Sequence, residues 1–252
     1  MHLSAKSNTK MNRKYHNWYS SSLQRNIELL IFGHSGRAVL LFPTRMARFY
    51  DYENWGIIDA LRDRIYKGEL QLFCVDSIDS ESFYNKWVPP ADRISRHLQY
   101  EQYILDEVIP LMREKNDGNY FEAAGCSMGG YHAVNLALKY PWLFKKAVSM
   151  SGRFDLTKQI QDFRDLFEGY HNEDIYFNTP CQFVAHLNDG YLLDEIRNVE
   201  IIFAIGETDP FLSNNYELSE LLWNKGIANH LYVWNKYAHR PRYWKQMVQH
   251  YL

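Results

Sequence analysis

Short apolar runs recur along this chain, and the stretches between them carry apolar residues at helical spacing. The runs lie at residues 26–32 (NIELLIF), 37–42 (RAVLLF), 70–75 (LQLFCV), 120–124 (YFEAA), 146–150 (KAVSM), 199–205 (VEIIFAI) and 230–234 (HLYVW). Strands that are apolar on both faces must be covered above and below, and helical connections provide that cover. The pattern predicts an α/β fold: a mainly parallel sheet with helices on both faces. Gly33 and Gly36, between the first two runs, predict a tight hairpin joining them.

The intervening stretches read as helices at residues 57–66, stopped by Gly68, at 95–115, and from the turn after residue 124 to about Lys139. Others follow at 213–225 and from about Arg242 onward. Pro110 is expected to kink the second or mark a boundary near its end. Residues 152–197 break the alternation, rich in Phe, Tyr and Asn without a clean strand. They are expected to form a cap-like insertion over the sheet edge within a single domain spanning residues 23–252. Residues 1–22 are polar and basic, and are expected to form a flexible lead, with Met11 as an alternative start.

Composition narrows the classes. Hydrophobic residues make up 46% of 252, which supports a large core and excludes disorder for the chain as a whole. The net charge of -2 leaves no basic excess for a phosphate backbone, so nucleic acid is not the expected partner. Three cysteines are too few for a disulfide framework and fit a reducing compartment. No run approaches the roughly 18 apolar residues of a membrane span, and the amino terminus lacks the apolar core of an export signal. A soluble, cytoplasmic protein without a membrane partner is expected.

The chemistry concentrates at Gly125-Cys126-Ser127-Met128-Gly129, directly after an apolar run and opening a helix. A sharp strand-to-helix turn needs glycine at its flanks, or the strand and helix collide and the serine hydroxyl cannot project. The helix amino terminus adds backbone N–H groups suited to a developing oxyanion. A Gly-rich turn holding an ordinary serine is the alternative. A serine hydroxyl needs a base to become a nucleophile. His239, just past the last apolar run, is the candidate base. His132 reads as structural, His171 and His186 lie in the insertion, and His230 begins a strand. Asp209, after the VEIIFAI run, is the candidate acid, chosen on chain order over Glu207 and Asp155; a plain turn before Pro210 is its alternative. Met128 N–H is the first candidate oxyanion donor. Arg45 or Met46, in the loop after RAVLLF, is the second.

Other groupings read as ordinary. The acidic run at residues 76–81 lacks calcium-loop spacing, and no Cys/His set has zinc spacing. Cys126 is expected to pack into the sheet. Tyr84, Trp87, Phe177, Phe183 and Tyr191 are candidates for an acyl pocket or for the core.

At these residues the chain resembles the putative-esterase branch of the α/β-hydrolases, which includes S-formylglutathione hydrolases, feruloyl esterases and mycolyltransferases. GCSMGGYHAVNLALKYPWLFKKAVSMSGRFD is similar to that family's elbow, helix and next strand, and YEQYILDEVIPLM to its preceding helix. GETDPF and YAHRPRYW resemble its acid and histidine segments. The resemblance covers nearly everything from about Leu23 onward, and is strongest to an uncharacterised bacterial esterase subgroup. It implies an α/β-hydrolase fold and a serine esterase acting on a small-molecule ester through Ser127, Asp209 and His239. One departure is that Pro-Thr-Arg-Met stands where the family usually has a glycine in the oxyanion loop. No metal or organic cofactor is expected. The alternatives are an acyltransferase using the same residues and a non-catalytic binding module; exposed aromatics in the insertion suggest a homodimer contact.

Overall fold

A computed structural model describes residues 11–252. The amino-terminal residues before these, and any reading of them, lie outside the described residues. The strands are β1 (Arg13–Ser20), β2 (Arg25–Phe32), β3 (Arg37–Phe42), β4 (Leu70–Val75), β5 (Phe121–Cys126), β6 (Phe144–Met150), β7 (Glu200–Gly206) and β8 (Asn229–Trp234). They form one sheet in the order β1-β2-β4-β3-β5-β6-β7-β8. From β4 to β8 every neighbouring pair is parallel, and β2 runs against both β1 and β4. The expected mainly parallel sheet is present.

Its faces follow the two-residue strand period. Leu29, Ile31, Leu40 and Ala123 point into one apolar cluster. Leu30, Phe32, Val39, Leu41 and Ala124 point into the other. The first is covered by α4 (Pro90–Tyr103), α5 (Ile109–Lys115), α6 (Met128–Lys139) and α10 (Leu212–Asn224). The second lies under the short helices α1 (Asp51–Asn54), α2 (Ile57–Ala60) and α3 (Arg62–Tyr66), with α11 (Pro241–Tyr251) at the carboxyl end. Both layers bury large side chains, each worth roughly 1.5–3 kcal/mol of transfer free energy.

Two expectations are corrected. The hairpin between residues 26–32 and 37–42 does not form, because β4 lies between β2 and β3 and pairs with both. Gly36 serves that approach: its φ is +93°, and a Cβ there would stand 2.3 Å from the Glu69 carbonyl carbon. Residues 13–20, expected within a flexible lead, instead form β1. As an edge strand it buries little, so its sequence lacks an apolar run. Trp18 packs on the core, and Glu107 ties the strand down by accepting from Trp18 Nε1 at 2.7 Å and Ser20 Oγ at 2.8 Å.

Pro110 sits at the start of α5, immediately after a π-helical turn at Ile104–Val108 that separates it from α4. Proline cannot donate to the carbonyl four residues earlier, and the wider turn absorbs the break. Residues 152–197 hold three short helices, α7 (Glu173–Phe177), α8 (Pro180–His186) and α9 (Gly190–Arg197). Leu156, Leu166, Phe167 and Ile175 from this region pack on Met128 and Tyr131 of α6. Among the described residues no helix is long and apolar enough to cross a membrane.

Candidate active site

Ser127 stands between β5 and α6 with φ 55° and ψ -119°, a conformation that side-chain-bearing residues rarely adopt. Neighbouring contacts hold it there. Ser127 N–H donates to Met150 O of β6 at 2.7 Å, and Ser127 O accepts from Gly130 N–H at 3.0 Å as the helix begins. The flanking glycines permit the crossing: a Cβ on Gly129 would lie 2.2 Å from Phe42 O, and one on Gly125 would lie 2.3 Å from the Gly129 carbonyl carbon. Cys126 is fully buried, and burial pushes its thiol far above the ordinary range, so it is no rival nucleophile.

Asp209 follows β7 and is almost fully buried. Its Oδ2 lies 2.8 Å from His239 Nδ1, and its Oδ1 accepts Phe211 N–H at 3.0 Å. A carboxylate at Nδ1 fixes the proton on that nitrogen and leaves Nε2 bare, as a base requires. The other two acids are committed elsewhere. Glu207 accepts Lys236 N–H at 2.7 Å, and Asp155 accepts Thr157 N–H at 2.9 Å. The loop presenting His239 carries positive φ at Lys236 and Ala238. The imidazole packs among Tyr237, Trp244 and Phe211, with ring centres 5.6, 5.5 and 6.0 Å away.

In the loop after β3, one of the two candidate donors is engaged elsewhere. Met46 N–H donates to Asp79 Oδ2 at 3.1 Å, so it is not offered to the site as the second oxyanion donor. Met46 takes φ 53° within a turn closed by Ala47 N–H to Thr44 O at 3.0 Å. Arg45 remains. Met128, at the first position of α6, has its N–H at the helix end, where the first backbone donors lack intrahelical acceptors.

Asp79 also lies 3.2 Å from His132 Nε2, deep beneath the site. The acidic run is thus fully engaged: Asp76 accepts from Arg48 Nε at 2.8 Å, and Glu81 pairs with Arg25 and Arg96. Among the described residues no group of three or more His, Cys, Asp or Glu is placed to hold a metal.

Ser127 and His239 line one cavity of about 290 Å³, together with Arg45, Met128 and Arg153. Of the five aromatics considered from sequence, only Tyr84 reaches it. Phe183 is core, whereas Trp87, Phe177 and Tyr191 are exposed. The cavity's other rings are Phe163, Phe211, Tyr237 and Trp244. Of these, Phe211, Tyr237 and Trp244 flank the acid or the base in sequence, which was the available signal for them.

Comparison with known proteins gives a consistent picture. Residues 50–247 match the family described as Esterase, Putative esterase. The chain is 32% identical over 139 residues to the Diacylglycerol acyltransferase/mycolyltransferase Ag85C of Mycobacterium avium. That stretch is 53% of this chain and 38% of the relative, so the chain spans well under half the length of the curated relatives it matches. A ferulic acid esterase structure superposes with a TM-score of 0.76 at 15% identity, covering 96% of both chains. An S-formylglutathione hydrolase from Agrobacterium tumefaciens superposes with a TM-score of 0.72 at 15% identity, covering 96% of this chain and 97% of the other.

Proposed function

The chain belongs to the Putative esterase family and has the α/β-hydrolase fold, and from that premise we propose that it is a serine carboxylic ester hydrolase working through an acyl-enzyme. Ser127 attacks the ester carbonyl as His239 Nε2 takes its proton. The N–H groups of Met128 and Arg45 hold the oxyanion. His239 then protonates the departing alkoxide, and water attacks the acyl-enzyme while the same nitrogen takes its proton. Collapse of the second intermediate releases the acid and returns the proton to Ser127. Asp209 stays ionised throughout and stabilises the imidazolium. This chemistry requires no metal or organic cofactor.

The observation that carries the reading is the 2.8 Å Asp209–His239 contact at a cavity that Ser127 shares. Hydrolysis of nitrophenyl esters of graded chain length tests it, with Ser127→Ala expected to lose at least about a thousandfold in turnover while folding normally. A cavity of about 290 Å³ suits the shorter acyl groups of that series. The buried, unpaired Cys74, Cys126 and Cys181 fit a cytoplasmic location.

A second reading rests on the curated relative, named an acyltransferase. In that case an alcohol replaces water at the acyl-enzyme. Product analysis with a competing alcohol separates the two, since a transferase yields mainly the new ester.

A further inference from the structure

Arg153 is a buried cation at the catalytic cavity, only 4% exposed. Its bonds run to carbonyls: Nε donates to Asp155 O at 3.0 Å, and Nη2 to Lys158 O at 2.6 Å and Arg164 O at 2.9 Å, with Leu156 O at 3.5 Å. Nη1 has no partner among the described residues. The nearby carboxylates are occupied. Asp155 binds Thr157 and Lys158, and Asp165 accepts the N–H groups of Phe167 and Gly169, each at 2.7 Å. The guanidinium lies 5.8 Å from the Phe211 ring centre.

Arg45 brings a second cation to the same cavity. It is exposed, forms no ion pair among the described residues, and sits 5.5 Å from the Tyr84 ring centre. Holding the 155–164 loop together explains Arg153 Nε and Nη2. It explains neither the spare Nη1 nor Arg45. Asp209, the carboxylate next to the site, already faces His239. A guanidinium stays charged at every working pH, and its fork matches a carboxylate with two parallel hydrogen bonds.

We propose that the cavity selects esters carrying a carboxylate on the acyl or the alcohol portion, held by Arg153 and Arg45 while Ser127 attacks the ester carbonyl. The proposal rests on the esterase reading of Ser127. A cavity of about 290 Å³ suits a short chain between the two groups.

Two matched pairs test it. Nitrophenyl hemiglutarate against nitrophenyl valerate places the charge on the acyl side, and butyryl glycolate against its methyl ester places it on the alcohol side. One charged ester is expected to exceed its neutral partner in kcat/KM by about tenfold or more, the scale of one charge-assisted hydrogen bond. Arg153→Gln or Arg45→Gln should pull that ratio toward one. Arg45→Gln, on the exposed side, keeps the test available if Arg153→Gln does not fold. Ready hydrolysis of both neutral esters with no preference for either charged one overturns the anion site and leaves the esterase reading intact. Calorimetry of glutarate binding, with glutaramide as the neutral control, needs no turnover. Binding of glutarate alone supports the site even if no ester is cleaved. Equal binding of both, or of neither, overturns it.

Discussion

Asp79 Oδ2 accepts the Met46 backbone N–H at 3.1 Å, so a buried carboxylate fixes the loop that offers Arg45 to the cavity lined by Ser127 and His239. The same carboxylate lies 3.2 Å from His132 Nε2. Asp79→Ala removes both contacts. Hydrogen bonds to charged groups are worth about 1.5–3 kcal/mol, and partial loss of loop placement should lower kcat about tenfold with a smaller change in KM. Steady-state kinetics on nitrophenyl acetate checks the split.

Tyr52 joins the two halves of the site from below. Its hydroxyl donates to Phe42 O at 2.7 Å and accepts Cys126 N–H at 2.8 Å, bridging the ends of β3 and β5 that lead to the Arg45 loop and to Ser127. Tyr52→Phe leaves both backbone groups buried and unpaired. The expected cost is about 2 kcal/mol or more, since each orphan costs about 1–3 kcal/mol. Urea unfolding at neutral pH measures it.

Much of this architecture is legible in the residues. Gly125 and Gly129 around Ser127, between an apolar run and a helix, mark the strained turn directly, because only glycine tolerates the backbone crossing there. The reach of Asp79 to Met46 leaves no such mark: the bond joins a side chain to a backbone N–H 33 residues away, and an acidic loop looks the same with or without it. Strand order is hidden for a related reason. Gly33 and Gly36 suit a hairpin and an inserted strand equally, and only pairing with β4 distinguishes the two. β1 escapes notice because an edge strand needs few apolar residues. Tyr52 and Arg153 owe their positions to tertiary contacts without local periodicity.

The elbow should reject any side chain at Gly129. A Cβ there would meet Phe42 O at 2.2 Å and Pro43 O at 2.6 Å, both rigid backbone atoms. Gly129→Ala is expected to cost about 3 kcal/mol or more, or to abolish folding. Circular dichroism melting of the soluble fraction reads the loss.

His97 makes stability pH-dependent. Burial holds its imidazole well below the ordinary histidine range, with His132 and Lys139 adding to the shift, while Nε2 meets Asn178 Oδ1 at 3.2 Å and Nδ1 is buried without a partner. The unfolded ring titrates near about 6.5. Below that pH the unfolded chain binds the extra proton, so this contribution is fully present above about 6.5 and is lost as pH falls. Between pH 7 and pH 5.5 the native protein should lose about 1 kcal/mol more than His97→Gln, at up to about 1.4 kcal/mol per pH unit for one proton. Urea midpoints at the two pH values check this.

Mass mapping of a fluorophosphonate adduct puts the nucleophile itself to the test. The account predicts one covalent adduct on Ser127, lost in Ser127→Ala and strongly slowed in His239→Ala. An adduct on a different serine, or a folded native protein that stays unlabelled, would contradict it.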